Sequence, residues 1–361
     1  MLTGWVADAV LRVLPILVFL AGITIVAELA DRAGVFTSAS GLAARAGRGS
    51  VRRLWLVVVV LASVTTILLS LDTTAVLLTP VVLVLARRLG VSPWPFALAT
   101  VWLANTASLL LPVSNLTNLL LVDQLRWTVS EYTARMWLPA LAAILVSVVV
   151  LGILLRGSLR GRYTAAPPPS PHDVILFRAA VAVCALIGPL VVLGVPPWLV
   201  SVAGAAALTP LFAWRRRDQL TWDLLPWRLV AITLALFIAV GFLQQHGLTN
   251  WLSSVAGQGT DLLGLLRMSA SGAIGSNLIN NLPAYVALEP VAASSPDRML
   301  ALLVGTNLGP LITLWGSLAT LLWCERCRSA DVAVSAGQFA LAGVIGVPLL
   351  IVVSTSLVWL T

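Results

Sequence analysis

Apolar runs follow one another along this chain almost without interruption, and most are long enough to cross a lipid bilayer. They cover 10–30, 54–70, 73–88, 95–122, 135–155, 178–194, 197–214, 227–245, 261–278, 282–294, 299–323 and 333–359. About 20 consecutive apolar residues span a hydrocarbon core as a helix. A water-soluble core stops growing well before it could use 361 residues that are 59 % apolar and only 10 % charged. The expected fold class is therefore an all-α polytopic membrane protein. The run around Leu11–Leu29 has no small-residue cleavage site and ends on Glu28 and Asp31, which reads as a span and not a signal peptide.

The formal net charge of +8 does not point to nucleic acid, because every basic residue is an arginine and nearly all sit at the ends of apolar runs. Such placement orients spans in a membrane. With 31–53 (Arg32, Arg45, Arg48, Arg52, Arg53) in the cytoplasm, Arg87, Arg88, Arg156, Arg160, Arg162, Arg215, Arg216, Arg217, Arg326 and Arg328 also fall inside. Arg12, Arg126, Arg135, Arg267 and Arg298 fall outside, and so do both termini. Three cysteines are too few and too clustered for a disulfide framework.

Runs 54–70 with 73–88, and 261–278 with 282–294, are short and joined by polar residues with almost no loop. Each pair reads as a hairpin that enters the membrane and returns. Runs 95–122 and 299–323 are long enough to cross but polar and Gly/Pro-bearing in the middle, as broken helices are. The Pro-rich segment 156–177 divides the chain into a first repeat (1–155) and a second (178–361), and should form a cytoplasmic strap. The halves correspond: LDTTAVLLTPVV (71–82) answers INNLPAYVALEPVA (279–292), and at a constant offset Asn105 falls on Asn307, Leu116 on Leu318 and Asn118 on Thr320. The first hairpin opens inward and the second outward, so the repeats are expected to be inverted. Small amphipathic stretches at 36–48 and 249–257 precede each hairpin and belong at the interface.

Four polar clusters sit at bilayer depth. The hairpin tips carry Ser70, Asp72, Thr73 and Thr74, and Ser276, Asn277, Asn280 and Asn281. The broken helices carry Asn105, Ser108, Ser114, Asn115, Thr117 and Asn118, and Thr306, Asn307, Thr313, Ser317 and Thr320. Irregular backbone at that depth has to line a protein- or water-filled cavity, and exposed helix ends there suit ions or polar solutes. Any one cluster could instead glue helices together; four at repeat-related places favour a substrate or ion site. Asp72 is either a functional intramembrane acid or a helix cap. Glu28 and Asp31 read as interfacial, Glu289 as solvated at the outer mouth, and His172 and His246 as loop residues. Cys324 and Cys327 have the spacing of a thiophilic clamp but no second ligand pair, a weak metal signature. Trp94, Trp137 and Trp227 suit an interfacial belt.

The strings LLTPVVL (77–83), NTASLLLPVSNLTNLL (105–120), SNLINNLP (276–283) and NLGPLITLWGSLATLLW (307–323) are recognisable. Over about residues 10–359 the chain resembles the ion-transporter superfamily of arsenite/antimonite permeases, sodium/proton antiporters and divalent-anion/sodium symporters, the arsenite-permease branch most of all. That resemblance implies a homodimer with a scaffold and a moving transport unit, elevator-type alternating access, and proton or sodium as a coupling ion, with no other cofactor. Two departures stand out: arsenite permeases typically carry an acid where this chain has Asn105 and again where it has Asn307, and the Lys and Pro of the second string are Leu311 and Leu314 here. The chain also starts about two helices later than most relatives.

The expectation is a secondary transporter, not an enzyme, of a small inorganic solute or oxyanion in a bacterial inner membrane. A cation-coupled carboxylate or anion symporter and a sodium/proton antiporter are the alternatives on the same fold. A transport-dead scaffold or sensor is a third class, against which the intact polar tips argue. No ATPase motif, redox centre or catalytic triad is legible.

Overall fold

The computed structural model describes residues 2–164, 172–225 and 227–361. The Pro-rich part of the expected strap, 165–171, lies outside the described residues. Helix α1 (Leu2–Arg32) turns through Gly34, at φ +86°, into the amphipathic α2 (Val35–Ala46). The first hairpin pairs α3 (Val51–Leu68) with a return arm made of α4 (Leu71–Thr73), a π-helical turn Thr74–Leu78 and α5 (Thr79–Arg88). Next come α6 (Trp94–Thr106), α7 (Leu116–Leu125), α8 (Val129–Leu154), α9 (Val174–Val192) and α10 (Pro197–Arg215). The remainder comprises α11 (Trp227–Leu243), α12 (Thr249–Ala256), the second hairpin of α13 (Leu262–Ile279) and α14 (Asn281–Ala292), then α15 (Pro296–Leu308), α16 (Leu318–Ser329) and α17 (Ala336–Leu360).

Helix ends in such a chain cannot leave N–H groups bare, and polar side chains supply the acceptors. Ser50, Asn115, Asp261, Ser295, Ser317 and Ser335 each accept a backbone N–H of the helix they open. Thr128 and Glu131 form a reciprocal capping box at the start of α8. Among the described residues, seven helices are long and apolar enough to span a membrane: the Leu14–Arg32 part of α1, and α3, α8, α9, α10, α13 and α17. The outgoing arms α3 and α13 are 18 residues each, about 27 Å of helix.

Both broken helices interrupt at equivalent places: α6 stops at Thr106 and α7 resumes at Leu116, α15 stops at Leu308 and α16 resumes at Leu318. In each half the outgoing hairpin arm packs on the first segment of the broken helix, α3 on α6 and α13 on α15. The α13–α15 approach is backbone-close, because a Cβ at Gly305 would overlap the Ser269 carbonyl oxygen and one at Gly309 would overlap Ala273. Small residues at a crossing are how helices in lipid gain contact. The second segments reach across: α16 packs on the return arm of the first hairpin, and α7 packs on α14 and α15. Helices α1, α9 and α10 pack on one another, and α8 runs along α17.

The arginine-bearing segments gather at one end. Arg32 donates to the Gln219 carbonyl and to Thr221 Oγ1, the latter at 2.9 Å. Tyr163 Oη donates to the Ala44 carbonyl at 2.6 Å, Ser50 bridges Arg162, and Arg215 pairs with Asp173 at 2.7 Å. Arg215 donating to the Asp173 carboxylate holds its pKa below the ordinary range. At the far end of the 26-residue α8, Arg135 pairs with Asp297 at 2.6 Å. Two charged residues read as surface groups are covered by protein instead. Glu289, expected to be solvated, is 5 % exposed. Arg298 is fully buried at the start of α15 and donates to the carbonyls of Gly257, Gly259 and Val291, fastening the α12–α13 loop to the end of the second hairpin.

Candidate functional site

The two hairpin tips and the two helix breaks meet around a cavity of roughly 330 Å³. Leu71 and Asp72 wall it from the first tip, Asn280 and Asn281 from the second, Asn115 from the first break and Ala319 from the start of α16. Leu236 of α11 closes one side. Each polar group arrives on the first turn of a helix: α4, α7, α14 and α16 all begin at this cavity. Four helix N-termini therefore converge on one volume, each contributing partial positive charge and N–H groups. Asp72 is the one ionisable side chain on the wall among the described residues, and no arginine reaches it.

The helix cap at the first tip is Ser70, not Asp72. Ser70 Oγ accepts the Thr73 N–H at 3.1 Å and shares a hydrogen bond with Thr73 Oγ1 at 3.0 Å. Thr74 Oγ1 pairs with Thr66 Oγ1 at 2.7 Å, which leaves Asp72 half-buried with no hydrogen-bond or ion-pair partner among the described residues. At the second tip the chain turns on Asn280 at φ +86° and ψ 154°, outside the left-handed helical well and in a region that glycine normally occupies, so the tip holds local backbone strain. Asn280 Nδ2 donates to the Trp315 carbonyl at 3.0 Å.

Most of the other expected site residues serve as connectors. Asn307 Oδ1 accepts from Asn115 Nδ2 at 3.1 Å and from Thr117 Oγ1 at 2.9 Å, while its Nδ2 donates to Asn118 Oδ1 at 2.9 Å. Asn118 Nδ2 in turn donates to the carbonyls of Ser108 and Leu111 at the first break. Ser114 Oγ donates to the Ile67 carbonyl, tying that break to the first hairpin. Asn277 holds the second break: its Nδ2 donates to Gly309 O, its Oδ1 accepts from Thr313 N and Oγ1, and its carbonyl accepts from Trp315 Nε1 at 2.7 Å. Ser317 caps α16 by accepting the Thr320 N–H. Ser108, Ser276 and Thr306 return their hydroxyls to carbonyls of their own chain segment. Asn105 donates to Val101 O, and its Oδ1, fully enclosed, has no hydrogen-bond partner among the described residues.

Cys324 and Cys327 are buried free thiols on α16, and no group of three metal-ligating side chains occurs among the described residues. Leu236 lines the cavity and Trp315 braces the second tip from outside it, and neither was among the expected site residues. Trp315 stood in a legible polar string, but nothing local singled out Leu236.

Residues 6–299 match the citrate transporter family. The chain belongs to that family. Among its relatives, an arsenical pump membrane protein of Yersinia enterocolitica is 31 % identical over 349 residues, covering 90 % of this chain and 81 % of that one. An arsenical pump membrane protein of Escherichia coli K12 is also 31 % identical, with the same coverage. A 46 kDa membrane protein of Mycobacterium leprae is 24 % identical over 96 % of this chain and 86 % of its own length. The fold is shared with the Alcanivorax borkumensis YdaH transporter, at a TM-score of 0.64 and 13 % identity over 99 % of this chain and 87 % of that one. As a member of this family the chain is a multi-pass secondary membrane transporter for a small solute or ion.

Proposed function

We propose that the chain transports a small hydroxylated inorganic solute or oxyanion, as an arsenite-permease-like protein does, and that the solute binds in the cavity between the tips. The convergence of four helix N-termini on that cavity carries the reading. Helix N-termini offer N–H donors and partial positive charge to oxygen atoms without a fixed cation. A relative named as an arsenical pump membrane protein at 31 % identity supports this substrate class. The citrate transporter family supports a second reading, a cation-coupled carboxylate symporter. Against it, a tricarboxylate would meet only helix ends and the Asp72 carboxylate, with no arginine on the wall among the described residues.

The same reading includes inverted repeats, working by elevator-type alternating access in a homodimer. The arginine-bearing end faces the cytoplasm of a bacterial inner membrane, and both termini lie outside. The equivalent breaks and the gathered arginines support it. Asn105 and Asn307 replace family acids, so Asp72 is the group left to sense a coupling proton or sodium ion. The test is flux into proteoliposomes of arsenite, antimonite, phosphate, sulfate, citrate and succinate under imposed proton or sodium gradients. Arsenite or another inorganic solute should move, and Asn281→Leu, which alters the cavity wall, should abolish that movement without impairing insertion. Movement of citrate or succinate alone would transfer the site to the carboxylate reading.

A further inference from the structure

A second cavity, of roughly 430 Å³, opens among the arginine-bearing segments, between α1, α2, the return arm of the first hairpin and the end of α16. Its mouth carries both signs of charge, Glu28 and Asp31 from α1 against Arg88 and Arg326. Its inner wall is the return arm, through Val76, Leu77, Pro80, Val81 and Val84. The same arm begins at Leu71 and Asp72 in the central cavity. Asp72 lies at the head of that arm, and Val76, Pro80 and Val84 follow further along it, through and beyond its π-helical turn. The two cavities are thus successive stations along one return arm, the central one at its head and the outer one from Val76 onward.

Between the stations the arm is not α-helical. Thr74–Leu78 is a π-helical turn, a rare distortion that is enriched at functional sites. Its displaced Thr74 carbonyl accepts the Thr79 N–H, and the single Thr79 hydroxyl proton is shared between that carbonyl and Thr100 Oγ1 on α6, each at 3.0 Å. Val76 and Leu77, on that turn, form the floor of the outer cavity.

We propose that this outer cavity is the vestibule through which solute reaches the hairpin tips from the arginine-bearing side, and that the π-turn carrying Val76 and Leu77 is the closed constriction between vestibule and binding cavity. The proposal rests on the transport reading above. A mixed-charge mouth admits polar solutes of either sign or none, and selection is left to the helix ends beyond the constriction. Arg88 and Arg326 at the mouth are matched by Glu28 and Asp31, so the vestibule presents no net charge of either sign, which fits a small solute that is uncharged or weakly anionic.

The experiment places single cysteines at Val76, Val81 and Val84, in a background with Cys184→Ala, Cys324→Ala and Cys327→Ala, and applies a charged, membrane-impermeant thiol reagent to either side. Val149→Cys, on the exposed surface of α8, is the control. Val81→Cys and Val84→Cys should react from the arginine-bearing side only and lose most of their flux once modified. Val76→Cys should react more slowly, and faster when solute is present to open the constriction, while Val149→Cys keeps its flux. Equal reaction from both sides, no reaction at Val81 and Val84, or full modification with undiminished flux would overturn the vestibule. A protein that moves none of the panel solutes yet labels in the one-sided pattern loses the transport reading and keeps the vestibule.

Discussion

The two hairpins are built alike and anchored differently. The second is stitched to its own break: Asn277 alone engages Gly309, Thr313 and Trp315, and Asn280 adds a bond to Trp315. The first hairpin is joined to its break by the Ser114–Ile67 bond, and its tip is held mainly by Ser70, Thr66, Thr73 and Thr74 bonding among themselves. The first break is instead fastened across the molecule to Asn307 of α15. The difference says that hairpin two, its break and α15 form one polar-bonded body that also holds the first break. The first tip, with Asp72, is the lightly tethered piece. A gate on the π-turn of that same hairpin is consistent with this division.

The repeat-related asparagines offer the strongest way to break the comparison. Asn307→Leu leaves Asn115, Thr117 and Asn118 without their shared partner in a buried site, and should cost about 3 kcal/mol or more. Asn105→Leu removes one intrahelical bond and an oxygen that already lacks a donor, and should cost about 1 kcal/mol or less. Thermal unfolding in detergent ranks the two, and equal losses would mean that the halves are anchored symmetrically.

Asn277→Ala should come next, at about 2 kcal/mol, because it frees the Gly309 carbonyl and two Thr313 donors. Its counterpart Ser114→Ala gives up a single bond and should cost about 1 kcal/mol. Limited proteolysis near Trp315 would sharpen the contrast, since only the Asn277 variant should expose the second break.

At the first tip, Ser70→Ala should lower stability by about 1 kcal/mol, the usual worth of a serine cap. Asp72→Asn should cost less, about 0.5 kcal/mol, because the carboxylate contributes only a first-turn charge to the return arm. Its effect belongs to transport: flux should fall while the unfolding temperature stays close to wild type. A large stability loss with normal flux would return Asp72 to the capping role that the sequence had equally allowed.

What was legible in the sequence is what neighbouring residues determine. The apolar runs and the interruptions within 95–122 and 299–323 follow from local hydropathy, whereas Asn115 and Ser317, expected as site residues, prove to be helix caps. Asn115 and Asn281 stood out because polar side chains at bilayer depth cost free energy unless something satisfies them. Sequence could not say which of them would meet. Asn115 bonds Asn307 across a separation of 192 residues, Trp323 Nε1 finds the Ala97 carbonyl across 226, and Arg298 is buried by a loop some forty residues upstream. Those pairings depend on how helices pack, and the same Asn can be a connector, as Asn307 is, or a wall of the cavity, as Asn281 is. Local chemistry sets where a helix begins, and the internal repeat marks which beginnings correspond; only tertiary packing decides that four of them share one cavity, because that requires crossings between helices far apart in the chain.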